Sequence, residues 1–541
     1  MILIGSKERS SNLIMPGRFD SDDDTLVLII GSGAGGGTLG NELAQKGVRT
    51  LILEAGPRIE REEHIDDERQ SFAQLAWLDK RASSGSWWVA KNSPNFPAWV
   101  CKVVGGSTVH WGGGCLRFGE HEFRAKDVYG DIPGTSLLNW PLTLAELEPY
   151  YDKAEDKMGV TGTHGIPMHD ADNNQIVMAA GAERVGYKEC STGNMAINSR
   201  PRDGRPATIQ DGFCFQGIRS NAKWSTLNSE IPKGEATGNL EVRPACHVLK
   251  IEHDAYGKVT GVVYADKEGH HHRQRARIVC VAGNSIETPR ILLNSASSQY
   301  ADGLANSSGQ VGKNYMRHMS GNVWGVFEQP VRMHRGNTMA GCIKDERYHI
   351  PNRGFVGGYF MQTEHLGPSF LAVNLTRSAD LKGRGPDFTR VMEAYEYMAG
   401  MWLVGEDMPQ KTNCVTLHHT EKDQFGMPIP NVHYDDHSND VAMRNHAFKQ
   451  GAMVYEAVGA TRTIRVPPGP SSHNLGTCRQ SVRAEDGVCN KWGQTHEIKN
   501  LFISDGSQFT TSSAANPTLT IVALAIRQAD YIADQMAKLN I

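Results

Sequence analysis

Gly31, Gly33 and Gly36 form a G-x-G-x-x-G turn within "LVLIIGSGAGGGTLG". The chemistry this spacing suits is phosphate binding. Gly31 permits a tight turn, Gly33 lets a pyrophosphate approach the backbone, and Gly36 lets helix and strand pack closely. The phosphates then sit at a helix N-terminus, where unpaired N–H groups and the dipole favour negative charge. Glu54 ends the next apolar run, in "LEAGP", where an acid that binds a ribose hydroxyl is expected. A second glycine cluster, "VVGGSTVHWGG" (103–113), sets His110 inside a loop. Gly105 and Gly106 allow its backbone to lie against something flat or charged.

These residues need particular elements to hold them. Residues 25–56 read as strand, glycine turn, helix and strand, and the first strand is the continuous apolar run of a parallel strand covered on both faces. With all of these parts present, the turn reads as a dinucleotide site, although the motif alone does not separate NAD from FAD. The Ala-Gly-Pro after Glu54 is frequent in flavoproteins. Further on, 141–158 reads as a helix started after Pro141 and Thr143, and 239–265 as strand, turn and strand with Tyr256-Gly257 near the turn. Residues 275–295 read as strand, glycine turn and helix, and 499–540 as strand, loop and long helix. Residues 310–465 look strand-like and irregular. Residues 57–100 look like loops and short helices carrying Trp77, Trp87, Trp88 and Trp99, and residues 1–24 like a loose polar arm. "GHHHR" (269–273) reads as an exposed hairpin end; three adjacent histidines cannot all face one ion without a strained backbone, so no metal is expected.

Bulk properties bound the answer. With 541 residues the chain exceeds the size of a single core, so two lobes are expected. A net charge of −4 with no basic stretch argues against nucleic acid. The apolar runs are too short for a membrane span. The N-terminal residues show neither a secretory signal nor a twin-arginine pair, so a cytoplasmic location is expected; export alongside a signal-bearing partner would leave no trace here. Ten scattered cysteines without a C-x-x-C read as reduced thiols.

Five blocks, in order along the chain, resemble the glucose-methanol-choline oxidoreductase family: 31–57, 103–113, "VAGNSIETPRILLNS" (281–295), "SSHNLGTC" (471–478) and "NLFISDGSQFTTSSAANPTLTIVALAIR" (500–527). The "HW" after the second glycine loop, "NSRPRDGRP" (198–206) and "ANPTLT" make it most similar to the branch holding pyranose oxidases, glycoside 3-oxidases and gluconate-dehydrogenase-type flavoproteins. The resemblance implies an α/β fold: a Rossmann-like FAD-binding domain from 24–120, 235–310 and 466–541, and a sheet-based substrate-binding domain from 121–234 and 311–465, with 1–23 as an arm. It implies FAD as cofactor, with Gly105, Gly106 and Ser107 along it. His110 falls where some relatives bond a histidine to the flavin 8α-methyl; the other reading is that it only packs against the ring. Val248 is implied near the adenine through its backbone, and His247 beside it, with plain strand packing as the alternative. Asp505 is implied near the ribityl or pyrophosphate, and Pro517 and Thr518 at the helix start that faces flavin N1–O2.

The resemblance also implies the chemistry. His473 opens the family's catalytic block, and Asn516 holds the second active-site position. Histidine suits a base because its ordinary pKa lies near working pH. Asparagine cannot take a proton, but it can hold the substrate oxygen and stabilise a developing alkoxide. His318 and His496 lack such context and read as structural or exposed. The reading is an enzyme that oxidises a secondary hydroxyl of a sugar or glycoside to a ketone, by hydride transfer to flavin N5 with His473 as base. The alternative is the same chemistry on a polyol, sterol or aromatic alcohol. A non-catalytic FAD-binding subunit and an NAD-dependent dehydrogenase fit less well, because His473 and Asn516 are intact and four blocks lie outside the dinucleotide motif. Relatives carry a cysteine-rich stretch for an iron–sulfur cluster after "SRPxDGRP"; here 207–226 holds only Cys214, so no cluster is expected. Oxygen, a quinone or another acceptor would then reoxidise the flavin. A small partner subunit or a homo-oligomer stays open.

Overall fold

The computed structural model describes residues 18–68, 100–469 and 471–541. The four tryptophans 77, 87, 88 and 99 lie outside the described residues. In chain order the main elements are β1 (Val27–Ile30), α1 (Ala34–Gln45), β2 (Thr50–Leu53), α2 (Leu144–Met158), α3 (Asn173–Val185) and β3 (Cys190–Thr192). Then come β4 (Leu240–Arg243), β5 (His247–His253), β6 (Val259–Ala265), β7 (His271–Arg275), β8 (Ile278–Val281) and α4 (Asn284–Asn294). The middle holds β9 (Met319–Val326), β10 (Gly341–Ile343), β11 (Tyr359–Thr363), α5 (Pro368–Leu375), β12 (Met398–Gly405), β13 (Cys414–Lys422) and β14 (Pro428–His433). The chain finishes with α6 (Ser438–Glu456), β15 (Arg462–Val466), β16 (Leu501–Ile503) and α7 (Thr518–Ala537).

Two sheets organise the molecule, and the expected α/β class holds. The first is parallel, in the order β16-β8-β1-β2-β4. Its strands are apolar at nearly every position because both faces are covered. Leu28, Ile30, Leu53 and Val281 pack on one face toward Ile251 and Val262 of the β5–β6–β7 sheet. Val27, Ile29, Ile52 and Cys280 pack on the other, toward Leu39 and Leu43 of α1 and Ala525 and Ala529 of α7. The strands β1, β2, β8 and β16 all deliver their C-terminal ends to one edge, where ligands bind in sheets of this kind.

The second sheet is antiparallel, in the order β15-β9-β12-β11-β10-β3. Met319, Val323, Met401, Leu403 and Met361 face α3 and α6. The alternate residues face the other way: Gln362, Trp402 and Asn322 form one cross-strand row.

Several sequence expectations need correction. Residues 239–265 form three strands, not two. Pro244 has no N–H to donate, and Ala245 sits at φ +54, so the chain turns out of the parallel sheet after β4 and starts an antiparallel one at β5. The irregular middle contains the 19-residue α6. Its buried stripe includes Asp440, Arg444 and Gly451, which hid the apolar periodicity. Of the supposed loose arm, the described part docks: Phe19 is buried, its N–H donates to Glu241 (2.9 Å), and Asp23 pairs with Arg49 (2.5 Å). In the histidine tip the turn ends at His270, and β7 begins at His271. His270 and His272 both lean on Asp266 (3.3 and 2.8 Å). The helix expected after Thr143 starts there, with Thr143 and Glu146 in a reciprocal capping box. All ten cysteines are free thiols. Among the described residues, no helix is long and apolar enough to cross a membrane.

Candidate active site

One cavity of about 350 Å³ runs from the edge of the parallel sheet to the second sheet. Gly31, Gly33, Glu54, Gly106, Ser107, His110, Val248, Asp505, Pro517, Thr518, His473 and Asn516 all line it. Gly36 and Gly105 do not. They stand behind the wall: a Cβ at Gly36 would lie 2.0 Å from the Gly31 carbonyl oxygen, and the Gly105 N–H donates to Ser32 Oγ (2.9 Å).

The glycine turn is built for close approach. Gly31 has φ +96, and a Cβ there would meet the Ala282 oxygen at 2.5 Å. Gly31→Ala is therefore expected to destabilise the fold by about 2 kcal/mol and to lower the flavin content, read by thermal unfolding and the flavin-to-protein ratio. Unchanged values would show that the turn can relax. Gly106, at φ +53, faces Gly33 so closely that its Cβ would lie 2.9 Å from Gly33 Cα. The two glycine loops thus leave bare backbone at the cavity wall.

Glu54 joins these loops. Its Oε2 accepts from Ser32 N and Oγ (3.0 and 2.6 Å), and its Oε1 accepts from Gly56 N (2.9 Å). A carboxylate has about four acceptor positions, so capacity remains for ribose hydroxyls. Asp505 is more fully committed. One oxygen accepts from Asn284 N and Thr288 Oγ1 (2.8 and 2.5 Å), and the other from Ser507 N and Oγ (2.8 and 2.5 Å). Its role inside this fold is to tie β16 to the start of α4. His247 lines the same end of the cavity and stacks on Phe425 (centroids 5.0 Å apart).

His110 is buried. Its Nδ1 lies 2.8 Å from the Phe215 carbonyl oxygen, which can only accept, so Nδ1 carries the proton. Nε2 then bears the lone pair and has no partner among the described residues. Burial pushes this ring down to about 3, so it is neutral at working pH.

At the far end, His473 and Asn516 share the wall with Trp402, whose ring centroid is 5.2 Å from that of His473. Asn516 Nδ2 donates to Gln362 Oε1 (3.2 Å), while its buried Oδ1 has no partner among the described residues. His473 N–H donates to Ser471 Oγ (3.0 Å). Burial carries the His473 imidazole well below its ordinary value, and the neighbouring His318 ring adds to this. A base with a lowered pKa stays deprotonated to lower pH. The substrate-driven reduction rate is therefore expected to stay flat from about pH 8 through about 6.5, the ordinary histidine value, and to fall only below that. A stopped-flow pH series checks this, and a limb centred at or above that ordinary value would contradict it.

Sequence reasoning missed several wall residues, all on the second sheet or next to it. Ser320 and Asn322 come from β9, Glu364 follows β11, and Asn374 lies near the end of α5. Asn374 donates to Asn322 (3.1 Å), and Trp324 Nε1 donates to Asn374 (2.9 Å). Burial pushes the Glu364 carboxyl up to about 8, so it is neutral near pH 7 and can donate as well as accept. His318, expected to be structural or exposed, also stands at this end of the site. That residue is buried with its Nδ1 2.8 Å from His473 Nδ1. His496 is half-buried and lies against Ser481 (3.1 Å).

The residues present fit FAD. Two glycine loops expose backbone, α1 and α7 open their N-termini into the same cavity, an acid stands at one end, and an unpartnered imidazole nitrogen waits along it. Comparison with known proteins agrees. Two models of the GMC oxidoreductase family match, over residues 34–320 and 409–525. A 2-methyl-1,2-propanediol dehydrogenase from Mycolicibacterium austroafricanum is 34% identical, with 95% of this chain and 96% of that one covered. A fructose dehydrogenase large subunit from Gluconobacter japonicus is 26% identical, with coverage of 94% and 98%. Among solved structures, an FAD-dependent oxidoreductase from Chaetomium thermophilum superposes with a TM-score of 0.65 at 13% identity, covering 95% of this chain and 100% of that one. Likeness of fold, two matching models and a relative aligned over 95% of the chain lead to one statement: this chain is a member of the GMC oxidoreductase family, an FAD-dependent enzyme acting on CH–OH groups.

Proposed function

We propose that this enzyme oxidises a secondary hydroxyl of a sugar or glycoside to a ketone, with His473 as base and Asn516 as the group that holds the oxygen. The observation that carries this reading is the wall around the pair. Ser320, Asn322, Glu364 and Asn374 put hydrogen-bonding groups on the cavity wall that His473 and Asn516 also line, and Trp402 supplies an aromatic face next to His473. Such a lining suits a compact molecule with several hydroxyls. Bound FAD supplies the hydride acceptor, at N5. His473 takes the hydroxyl proton at Nε2 as the C–H electron pair leaves, so the C–O bond becomes a carbonyl and the charges balance. Asn516 Nδ2 has a second hydrogen to donate to the developing alkoxide. The sugar dehydrogenase relative supports the substrate class.

A second reading, a small non-sugar diol or polyol, is favoured by the 34% identical diol dehydrogenase. Anaerobic mixing of the flavin enzyme with sugars, glycosides, diols and aromatic or sterol alcohols separates the two. Bleaching by sugars supports the first reading, and bleaching by diols alone moves the assignment to the second. The unpartnered Nε2 of His110 suits an 8α bond to the flavin. Acid precipitation tests it: flavin kept in the protein pellet supports the bond, and flavin released makes His110 a packing residue.

A further inference from the structure

A short antiparallel bridge sets a second imidazole behind His473. Met316 and Leu475 exchange backbone hydrogen bonds (3.0 and 2.9 Å). In that register, two residues further along one segment face two residues back along the other, so His318 stands opposite His473. The two Nδ1 atoms are 2.8 Å apart, and the rings meet edge to face at 80°. Nε2 of His318 lies 2.9 Å from the Ser512 carbonyl oxygen.

These contacts dictate the protons. A carbonyl oxygen only accepts, so Nε2 of His318 carries its hydrogen. A neutral imidazole then has its lone pair on Nδ1, and burial keeps His318 neutral by pushing it down to about 4. That lone pair needs a donor, which is Nδ1–H of His473. The lone pair of His473 is left on Nε2. His473 lines the cavity and His318 does not, so the paired edge is the inner one.

We infer that His318, anchored by the Ser512 carbonyl, is a positioning residue that holds His473 in the tautomer whose Nε2 acts as base. This rests on the reading of His473 as base. The proton passes from the substrate hydroxyl to Nε2 of His473 and goes no further. His318 keeps its own proton and accepts a hydrogen bond that strengthens once His473 is cationic. The backbone is strained at His318, with φ +68, and at Ser513, the residue after the anchoring Ser512, with φ +61. Such conformations cost on the order of 1–3 kcal/mol each and persist where the surroundings over-determine them. Ser512 is itself pinned, its Oγ accepting from Asp407 N (2.7 Å). The charged groups around the pair are Glu122, which acts on His318, and Asp407, which accepts from the Arg317 N–H (2.7 Å).

The test is anaerobic flavin reduction, per bound flavin, in His318→Asn, His318→Gln, His318→Leu and His473→Ala. Asparagine tolerates the left-handed backbone and keeps an acceptor near the Nδ1 position. Glutamine reaches toward Ser512 and leaves His473 without its acceptor. The Asn variant is expected to stay within about 10-fold of the natural enzyme, because it keeps an acceptor for the His473 Nδ1–H. The Gln and Leu variants are expected to slow about 100-fold with half-saturation changed less than about 3-fold. If the Leu variant fails to fold, the Asn-to-Gln ratio decides. Equal Asn and Gln rates, fast or slow, overturn the inference while a slow His473→Ala leaves the base in place. A fast His473→Ala overturns both.

Discussion

Replacing His473 with alanine is expected to slow substrate-driven flavin reduction about 1,000-fold while leaving the flavin bound. Protonation and place both suit this residue to the role. At working pH the ring is neutral because burial penalises its cation, so it is ready to accept. It stands on the same cavity wall as Asn516, next to the Trp402 ring. Without the imidazole, a hydroxyl proton has to leave to water or stay on until the hydride has gone, and both routes raise the barrier. If the base is what is missing, raising the pH should recover part of the rate, because hydroxide can then supply the alkoxide. The flavin should survive, because the glycine loops, Glu54 and the helix N-termini that fit it do not include His473. A variant that reduces its flavin at the natural rate would sink the assignment.

Asn516→Ala is expected to cost about 100-fold in the same rate constant, and Asn516→Asp more. Gln362 holds one hydrogen of the Asn516 amide, and the other is available to the substrate oxygen. Alanine removes that donor. Aspartate replaces it with a negative charge facing the oxygen on which negative charge develops, in a buried site where screening is weak. Asn516→His should keep more activity than either, since it still offers an N–H. An Asp variant as fast as Asn516→His would show that the position does not face developing negative charge.

Features local to a stretch of chain are legible in the sequence itself. The G-x-G-x-x-G turn, the apolar runs of β1 and β8, the cap at Thr143 and the long α7 each lie within one continuous stretch of chain, so their patterns survive in one dimension. The family blocks carried His473, Asn516 and the flavin-side residues, and the fold gathers nearly all of these around one cavity. Gly36 and Gly105 support it from behind. The second sheet is less legible. Its cavity face exists only because β9, β11 and β12 pair across large sequence separations, and only then do Asn322, Trp402 and Gln362 form a row. The helix α6 is hidden in the sequence because its buried stripe takes in an aspartate and an arginine, which find partners such as the Met408 N–H and Asp436 once folded.

His318 marks the boundary between the two kinds of information. Sequence alone determined that this chain binds a dinucleotide and carries a histidine and an asparagine in the catalytic blocks of a flavin alcohol oxidoreductase. No local pattern distinguishes His318 among the 21 histidines. Only the tertiary structure decided which nitrogen of His473 bears the lone pair. The reason is physical: a tautomer is set by what each ring nitrogen meets, and here a short backbone bridge sets His318 opposite His473 while the Ser512 carbonyl fixes the proton of His318.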